Sequence, residues 1–220
     1  MSIVKVRRGP SSGLRFLEHS WLLFPFLAGA TLRLRHLWDQ PLLDDETAAV
    51  RAVLTMEPTA LLSTFARQDF CRTTAAIARL LYEAGLPLSE WMFRLPGLLA
   101  GLATMILLPL TARRLHGNRL EAQIFAWLLA ISPLLIVYSR IARSYMPMIL
   151  LAALSTLQLV RALPSERLPP FLGAAILGLG AVWFHPISVP FLLGVFATGG
   201  VVLFIDRSSR AEEASQDRHH

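Results

Sequence analysis

Long apolar segments alternate with short arginine-rich breaks along most of this chain, and this alternation limits the folds that it can adopt. Hydrophobic residues make up 54% of the 220 residues and charged residues 16%, whereas soluble domains average about 45–50% and about 25%. The pattern is typical of a polytopic membrane protein. It excludes a disordered chain and a soluble one-core enzyme, and the single cysteine, Cys71, excludes an intrachain disulfide.

The hydrophobic pattern predicts an all-α polytopic membrane helix bundle with about six transmembrane helices. We expect a basic N-terminal segment at 1–19, a transmembrane module at 20–205, and a disordered polar tail at 206–220. The predicted spans are 20–37, 95–112, 120–138, 145–160, 170–184 and 187–205. Glycines inside the apolar segments indicate close helix packing; they are Gly173, Gly178, Gly180, Gly194, Gly199 and Gly200.

The net charge of +6 is explained by the predicted membrane topology. Twelve of the 21 Lys and Arg residues fall in segments that would share the cytoplasmic side, so the positive-inside rule favours cytoplasmic N- and C-termini. Nine Arg fall on the outer side; of these, we expect Arg33 and Arg35 to extend to the membrane interface. Since no basic run is interleaved with aromatic residues, the chain is not expected to bind nucleic acid. Most of the five Trp residues are expected in the interfacial aromatic belts.

A polar loop at 38–91 holds eight of the fifteen acidic residues and is predicted to lie outside the membrane. Its periodicity predicts two amphipathic helices on the membrane surface, at 47–56 and 74–84. The apolar face of the first would carry Val50, Val53 and Leu54, and that of the second Ile77, Leu80 and Leu81.

Three consecutive acids, Asp44, Asp45 and Glu46, stand at the start of the first of these helices. Their mutual repulsion can raise a pKa, which suits a general base, and their oxygens suit a divalent metal. The same residues could instead cap the helix, because acids are favoured at a helix N-terminus.

A short turn between the third and fourth spans carries Arg140, Arg143 and Tyr145. Two guanidinium groups that would share a helix face can hold a phosphate or diphosphate. Arg94 opens the second span on the same side and could join this anion site. The alternative is that these side chains anchor helix ends at the interface.

His185, followed by Pro186, lies between the fifth and sixth spans. It could carry a proton, bind a metal or donate a hydrogen bond. It could also be only a helix-end residue beside a helix-breaking proline.

The order of these features resembles the GT-C class of polyprenyl-phosphate-sugar-dependent membrane glycosyltransferases, including the protein O-mannosyltransferase and aminoarabinose transferase families. The resemblance covers about residues 20–190. It is carried by Trp38 and Asp45-Glu46, SEWMFRLP at 89–96, RRLHG at 113–117, SP at 132–133 and YSRIARSY at 138–145.

The resemblance implies catalytic roles for Asp45 and Glu46, with Asp45 as the base or, together with Asp44, as a ligand of Mg²⁺ or Mn²⁺. It implies that Arg140, Arg143 and Tyr145 contact the lipid phosphate, with Arg94 and His185 also on the substrate. No organic cofactor is expected. The reaction would transfer a sugar from a polyprenyl-phosphate donor to an acceptor hydroxyl at the outer face of a bacterial inner membrane.

Arg72-Thr73-Thr74 stands where relatives often carry a paired-proline stretch. Two further features depart from the family pattern. Relatives often carry Glu where this chain has Ile141, and full-length members are longer, so the resemblance covers only their N-terminal half. These features favour the alternative of a non-catalytic membrane subunit that binds lipid or a partner protein, such as one supplying a C-terminal half. A small transporter is a third hypothesis, although transporters usually place polar residues at mid-membrane.

Overall fold

The computed structural model describes residues 20–37, 39, 44–63, 72–165 and 168–216. Throughout these ranges the regular structure is helical, without strands, which confirms the predicted all-α membrane bundle. In chain order the helices are α1 Leu23–Leu34, α2 Asp44–Thr55, α3 Pro58–Ser63, α4 Arg72–Glu83, α5 Glu90–His116, α6 Arg119–Ile131, α7 Pro133–Arg140, α8 Tyr145–Ala162, α9 Leu168–Phe184 and α10 Ser188–Gln216. Short 3₁₀ turns, Ser20–Leu22 and Leu163–Ser165, precede α1 and follow α8.

Each of the six predicted spans corresponds to apolar helix, but the helices differ in length. Within the described residues α5, α8 and α10 are long and apolar enough to cross a membrane, and α6 with α7 makes a fourth span if the bent pair is counted as one. The apolar helices Ser20–Leu34 and Leu168–Phe184 are shorter, at 1.5 Å per residue below the roughly 30 Å of a hydrocarbon core. For these two segments a full span stays a prediction.

The third predicted span is not one straight helix. It breaks at Ser132, and α6 and α7 meet at a bend of 55°. Pro133 opens α7, and the Ser132 hydroxyl oxygen accepts a long hydrogen bond, 3.5 Å, from the Leu135 N–H. This is the N-cap followed by proline that starts a new helix.

The sharp reversal between α5 and α6 follows from its local sequence. Gly117 ends α5 in the left-handed conformation, with φ of 71°, which glycine adopts without steric cost. The Asn118 side-chain oxygen then accepts the Leu120 N–H at 2.9 Å and caps α6. At this same end of the bundle the Arg113 guanidinium lies 5.7 Å from the ring centroid of Trp21. Trp21 is buried against neighbouring helices.

The loop helices α2, α3 and α4 form a small cap on the other end of the bundle. Both predicted amphipathic helices are present, but their buried faces are made mainly of alanine, while Leu54 and Leu80 are 58% and 55% exposed. The alanine faces let the cap helices approach closely, and Leu54 and Leu80 stay exposed, so their contact with the membrane surface stays a prediction. The cap core consists of Ala49, Ala52, Val53, Leu61, Ala75, Ala76 and Ala78, with Met92 and Phe93 of α5 and Ala142.

Two further expectations need correction. Helix α10 continues to Gln216, so residues 206–216 are helical rather than disordered, and the Arg210 Nη2 pairs with Asp206 Oδ2 at 2.6 Å one turn away. Residues 217–220 lie outside the described part.

Among the six glycines predicted at packing contacts, Gly178, Gly180 and Gly199 face neighbouring side chains, whereas the other three face open space.

Candidate functional site

A buried ion pair joins the acidic segment to the start of α5. Arg94 Nη2 lies 3.4 Å from Glu46 Oε2, and the two side chains are 0% and 2% exposed. Arg94 Nη1 also donates to the Leu37 carbonyl oxygen at 3.1 Å. Arg94 is therefore not an exposed interfacial anchor, because the cap covers it and Glu46 compensates its charge inside the protein.

The second oxygen of Glu46 binds the arginine turn. Glu46 Oε1 accepts a hydrogen bond from the backbone N–H of Ala142, between Arg140 and Arg143. The methyl group of Ala142 is buried in the cap core. Glu46, which follows Asp45 in the sequence, is thus hydrogen-bonded to Ala142 in the middle of the turn, 96 positions away.

The arginines of the turn do not share one helix face, as a helix through 140–143 would require. Arg140 is the last residue of α7, and Arg143 lies in the non-helical turn that precedes α8. Arg140 Nη2 donates to the carbonyl oxygen of His36 at 3.4 Å. The helix ends here because the Glu46 carboxylate binds the Ala142 N–H, which a continuing helix would use for itself.

Two polar atoms of the same turn lack an internal partner. Arg140 Nε and Ser144 Oγ are buried, and neither has a hydrogen-bond partner within the described ranges. Buried donors are rarely left unsatisfied in native proteins, and the explanations for an exception include strain, a catalytic role and a bound water or ion. The turn therefore has hydrogen-bonding capacity that the fold itself does not use.

An aromatic row extends from the turn to the junction of α9 and α10. The ring of Tyr145 lies 5.0 Å from the ring of Tyr138 on one side and 5.0 Å from that of His185 on the other. His185 Nδ1 lies 3.1 Å from the Ile187 N–H and accepts it, so the neutral ring carries its proton on Nε2. Burial, and next the positive charge of Arg143, lower the pKa of His185.

Arg33 is a residue whose role sequence reasoning missed. It does not extend to the membrane interface; its side chain is 0% exposed, and its Nε donates to Ser139 Oγ at 3.1 Å. Arg35, two residues on, is exposed. The sequence signal for this role of Arg33 is Ser132-Pro133. This pair breaks the helix, and a broken helix leaves carbonyl groups that need hydrogen-bond donors.

The side chains of Asp44 and Asp45, and all of Trp38, lie outside the described part of the structure. The backbone shows that α2 begins at Asp44, so both acids stand in its first turn. Among the side chains that the structure does describe, no three His, Cys, Asp or Glu residues form a metal-binding cluster.

The family of the protein follows from comparison with known proteins. A family model for dolichyl-phosphate-mannose-protein mannosyltransferases matches residues 75–211, more than half of the chain. The chain belongs to this family. Its members belong to the GT-C class of membrane glycosyltransferases, which use lipid-linked sugar donors. No curated protein and no solved structure matches the chain.

The match to the mannosyltransferase family covers the arginine turn, Arg94, Tyr145 and His185, but not the segment 44–46. The link between Glu46 and Ala142 therefore joins a part of the chain outside the family match to a part inside it.

Proposed function

We propose that this protein transfers a sugar from a polyprenyl-phosphate donor to an acceptor hydroxyl at the outer face of a bacterial inner membrane. The observation that carries the proposal is the hydrogen bond between the Glu46 carboxylate and the Ala142 N–H. It connects the segment that holds the candidate base to the turn that holds two cations. Membership of a mannosyltransferase family supports the same chemistry.

The reaction needs a base and a charged site for the leaving group. In the proposed mechanism Asp45 accepts the proton of the acceptor hydroxyl, and the hydroxyl oxygen attacks the anomeric carbon with inversion. The new glycosidic bond forms while the bond from that carbon to the phosphate oxygen breaks. Arg140 and Arg143 stabilise the negative charge on the departing lipid phosphate.

The unsatisfied atoms of the turn fit this role. A phosphate group offers several acceptor oxygens, and Arg140 Nε is a buried donor without a partner among the described residues. Ser144 Oγ, four residues on, can donate to the same group. Tyr145 and the Nε2–H of His185 extend the site towards the junction of α9 and α10.

Glu46 and Arg94 act as positioning residues in this proposal rather than on the substrate. Both side chains are buried, and both carboxylate oxygens of Glu46 are engaged within the protein. A divalent metal, Mg²⁺ or Mn²⁺, would therefore have Asp44 and Asp45 as its candidate ligands in this segment. Carboxylate oxygens suit such an ion, which would supply positive charge next to the donor phosphate.

The test is transfer from a radiolabelled polyprenyl-phosphate sugar by membranes that contain the full chain. Asp45→Asn should reduce transfer by on the order of 100-fold or more, as expected for loss of a general base. Asp206→Asn is the matched control, since Asp206 lies on the exposed end of α10, and it should leave transfer unchanged. Full transfer by Asp45→Asn would contradict the proposed base.

The second candidate function is a non-catalytic subunit that binds the lipid or a partner protein, and Ile141 favours it because this position carries no acid. It predicts no transfer by the wild-type chain, together with donor-lipid binding that Arg140→Ala plus Arg143→Ala weakens. Transfer that depends on Asp45 would exclude it.

A further inference from the structure

Arg33 lies in the apolar helix α1, yet its fully buried side chain reaches two other helices. Its Nη1 donates to the carbonyl oxygens of Gly29 and Ala130, each at 3.0 Å. Its Nη2 donates to the Leu129 carbonyl oxygen at 3.0 Å, and its Nε donates to Ser139 Oγ at 3.1 Å. A charge buried in a membrane protein is costly and usually has a functional reason.

The carbonyl acceptors on α6 stand at its broken end. In a continuous helix the Leu129 carbonyl would accept the N–H four residues later, but that residue is Pro133, which has none. The last turn of a helix also carries partial negative charge, which a cation compensates. The guanidinium of Arg33 thus supplies the hydrogen-bond donors that the break at Ser132 removes.

The contact on α7 stands next to the proposed phosphate site. Ser139 precedes Arg140, and its hydroxyl accepts from Arg33 while donating to the Leu135 carbonyl at 2.6 Å. The space is closely fitted, since a Cβ placed at Gly101 of α5 would overlap Ser139 Oγ. One side chain therefore binds α6 before the bend and the end of α7 after it.

We propose that Arg33 is a positioning residue that fixes the angle between α6 and α7, and so places Arg140 and Arg143 for the lipid phosphate. The second half of this inference rests on the proposed function; the first half, the control of the bend, does not. A planar guanidinium with several donors suits this task, because one side chain serves four acceptors in fixed directions.

The experiment measures the bend directly. Spin labels at Ile124→Cys on α6 and Val137→Cys on α7, both 52% exposed, report the distance between the two helices in a Cys71→Ser background. Arg33→Met is compared with Arg35→Met, the same substitution at an exposed position two residues on. The donor KM and kcat are measured on the same proteins.

We expect Arg33→Met to shift or broaden the distance distribution and to raise the donor KM by on the order of 10-fold or more. Arg35→Met should change neither quantity. If Arg33→Met does not fold, Arg33→Lys replaces it; an ammonium group keeps the charge but lacks the planar fork, so the same changes should be smaller. An unchanged distance distribution in the folded Arg33 variants would overturn the proposal.

The two hypotheses fail separately. If the wild-type chain does not transfer sugar, the proposed function fails, while the distance measurement still decides whether Arg33 sets the bend. If transfer occurs and the bend shifts without a change in donor KM, the bend does not position the phosphate site and that half of the inference is wrong.

Discussion

Charged side chains that are buried among apolar helices need compensation, and Arg94 and Arg33 obtain it differently. Arg94 pairs with the carboxylate of Glu46, whereas the hydrogen bonds of Arg33 go to carbonyl oxygens and to the Ser139 hydroxyl. The first arrangement includes a carboxylate, and the second is spread over several neutral acceptors. Loss of Glu46 should therefore remove a negative charge that compensates a buried positive one.

At this scale we predict that Glu46→Gln destabilises the protein by about 3 kcal/mol or more, because it breaks a buried ion pair from one side. Thermal unfolding in detergent measures the change. The matched control is Glu83→Gln, which breaks the more exposed pair between Arg79 Nε and Glu83 Oε1, 2.8 Å apart, and should destabilise the protein much less. Equal effects of the two substitutions would contradict the prediction.

The titration of His185 is a second residue-scale prediction. Its pKa is lowered from the ordinary value of 6.5, first by burial and then by the charge of Arg143. The unfolded chain therefore binds more protons, so this contribution to stability is complete above about pH 6.5 and is lost as the pH falls through the lowered pKa.

Arg143→Met should raise the pKa of His185 towards 6.5 without restoring it fully, because burial is the larger cause. Histidine NMR titration measures this shift. Arg161→Met, at the far end of α8, is the control and should leave the pKa where it was. A pKa that is unmoved by Arg143→Met would show that the charge of Arg143 does not reach His185.

At the scale of helices, two helices approach each other closely where one of them carries a glycine, which has no side chain. A Cβ at Gly101 would overlap Ser139, whereas a Cβ at Gly194 of α10 would meet nothing within 4 Å. Gly101→Ala should therefore force α5 and α7 apart and destabilise the protein by roughly 1–3 kcal/mol. Gly194→Ala should be neutral or stabilising by up to about 1 kcal/mol. Unfolding of both variants in detergent compares them, and equal stability would contradict the packing argument.

For the whole molecule, the cap and the arginine turn lie at one end of the bundle, and the reversal at Gly117 lies at the other. The distribution of arginine predicts that the Gly117 end faces the cytoplasm. A cysteine at exposed His116 should then react with an impermeant reagent only after cells are opened, and a cysteine at exposed Glu90 should react in intact cells. Both are made in a Cys71→Ser background, and the reverse labelling pattern would place the site on the cytoplasmic side.

The sequence by itself determined the type and approximate limits of the helices. Helix α2, expected at 47–56, runs Asp44–Thr55, and α4, expected at 74–84, runs Arg72–Glu83. Periodicity, capping residues and helix-breaking residues are local signals that act within a few positions. The sequence also indicated the turn with Arg140 and Arg143 as a candidate site, because a cluster of charges stands out in an apolar chain.

Only the tertiary structure decided which of those charges are exposed. Arg33 and Arg94 look like interfacial anchors in the sequence, yet their acceptors Ser139 and Glu46 lie 106 and 48 positions away. The same holds for the buried alanine face of the cap and for the bond from Glu46 to Ala142. Whether a charge or an apolar side chain is buried depends on which distant segment packs against it, and a local pattern carries no information about that partner.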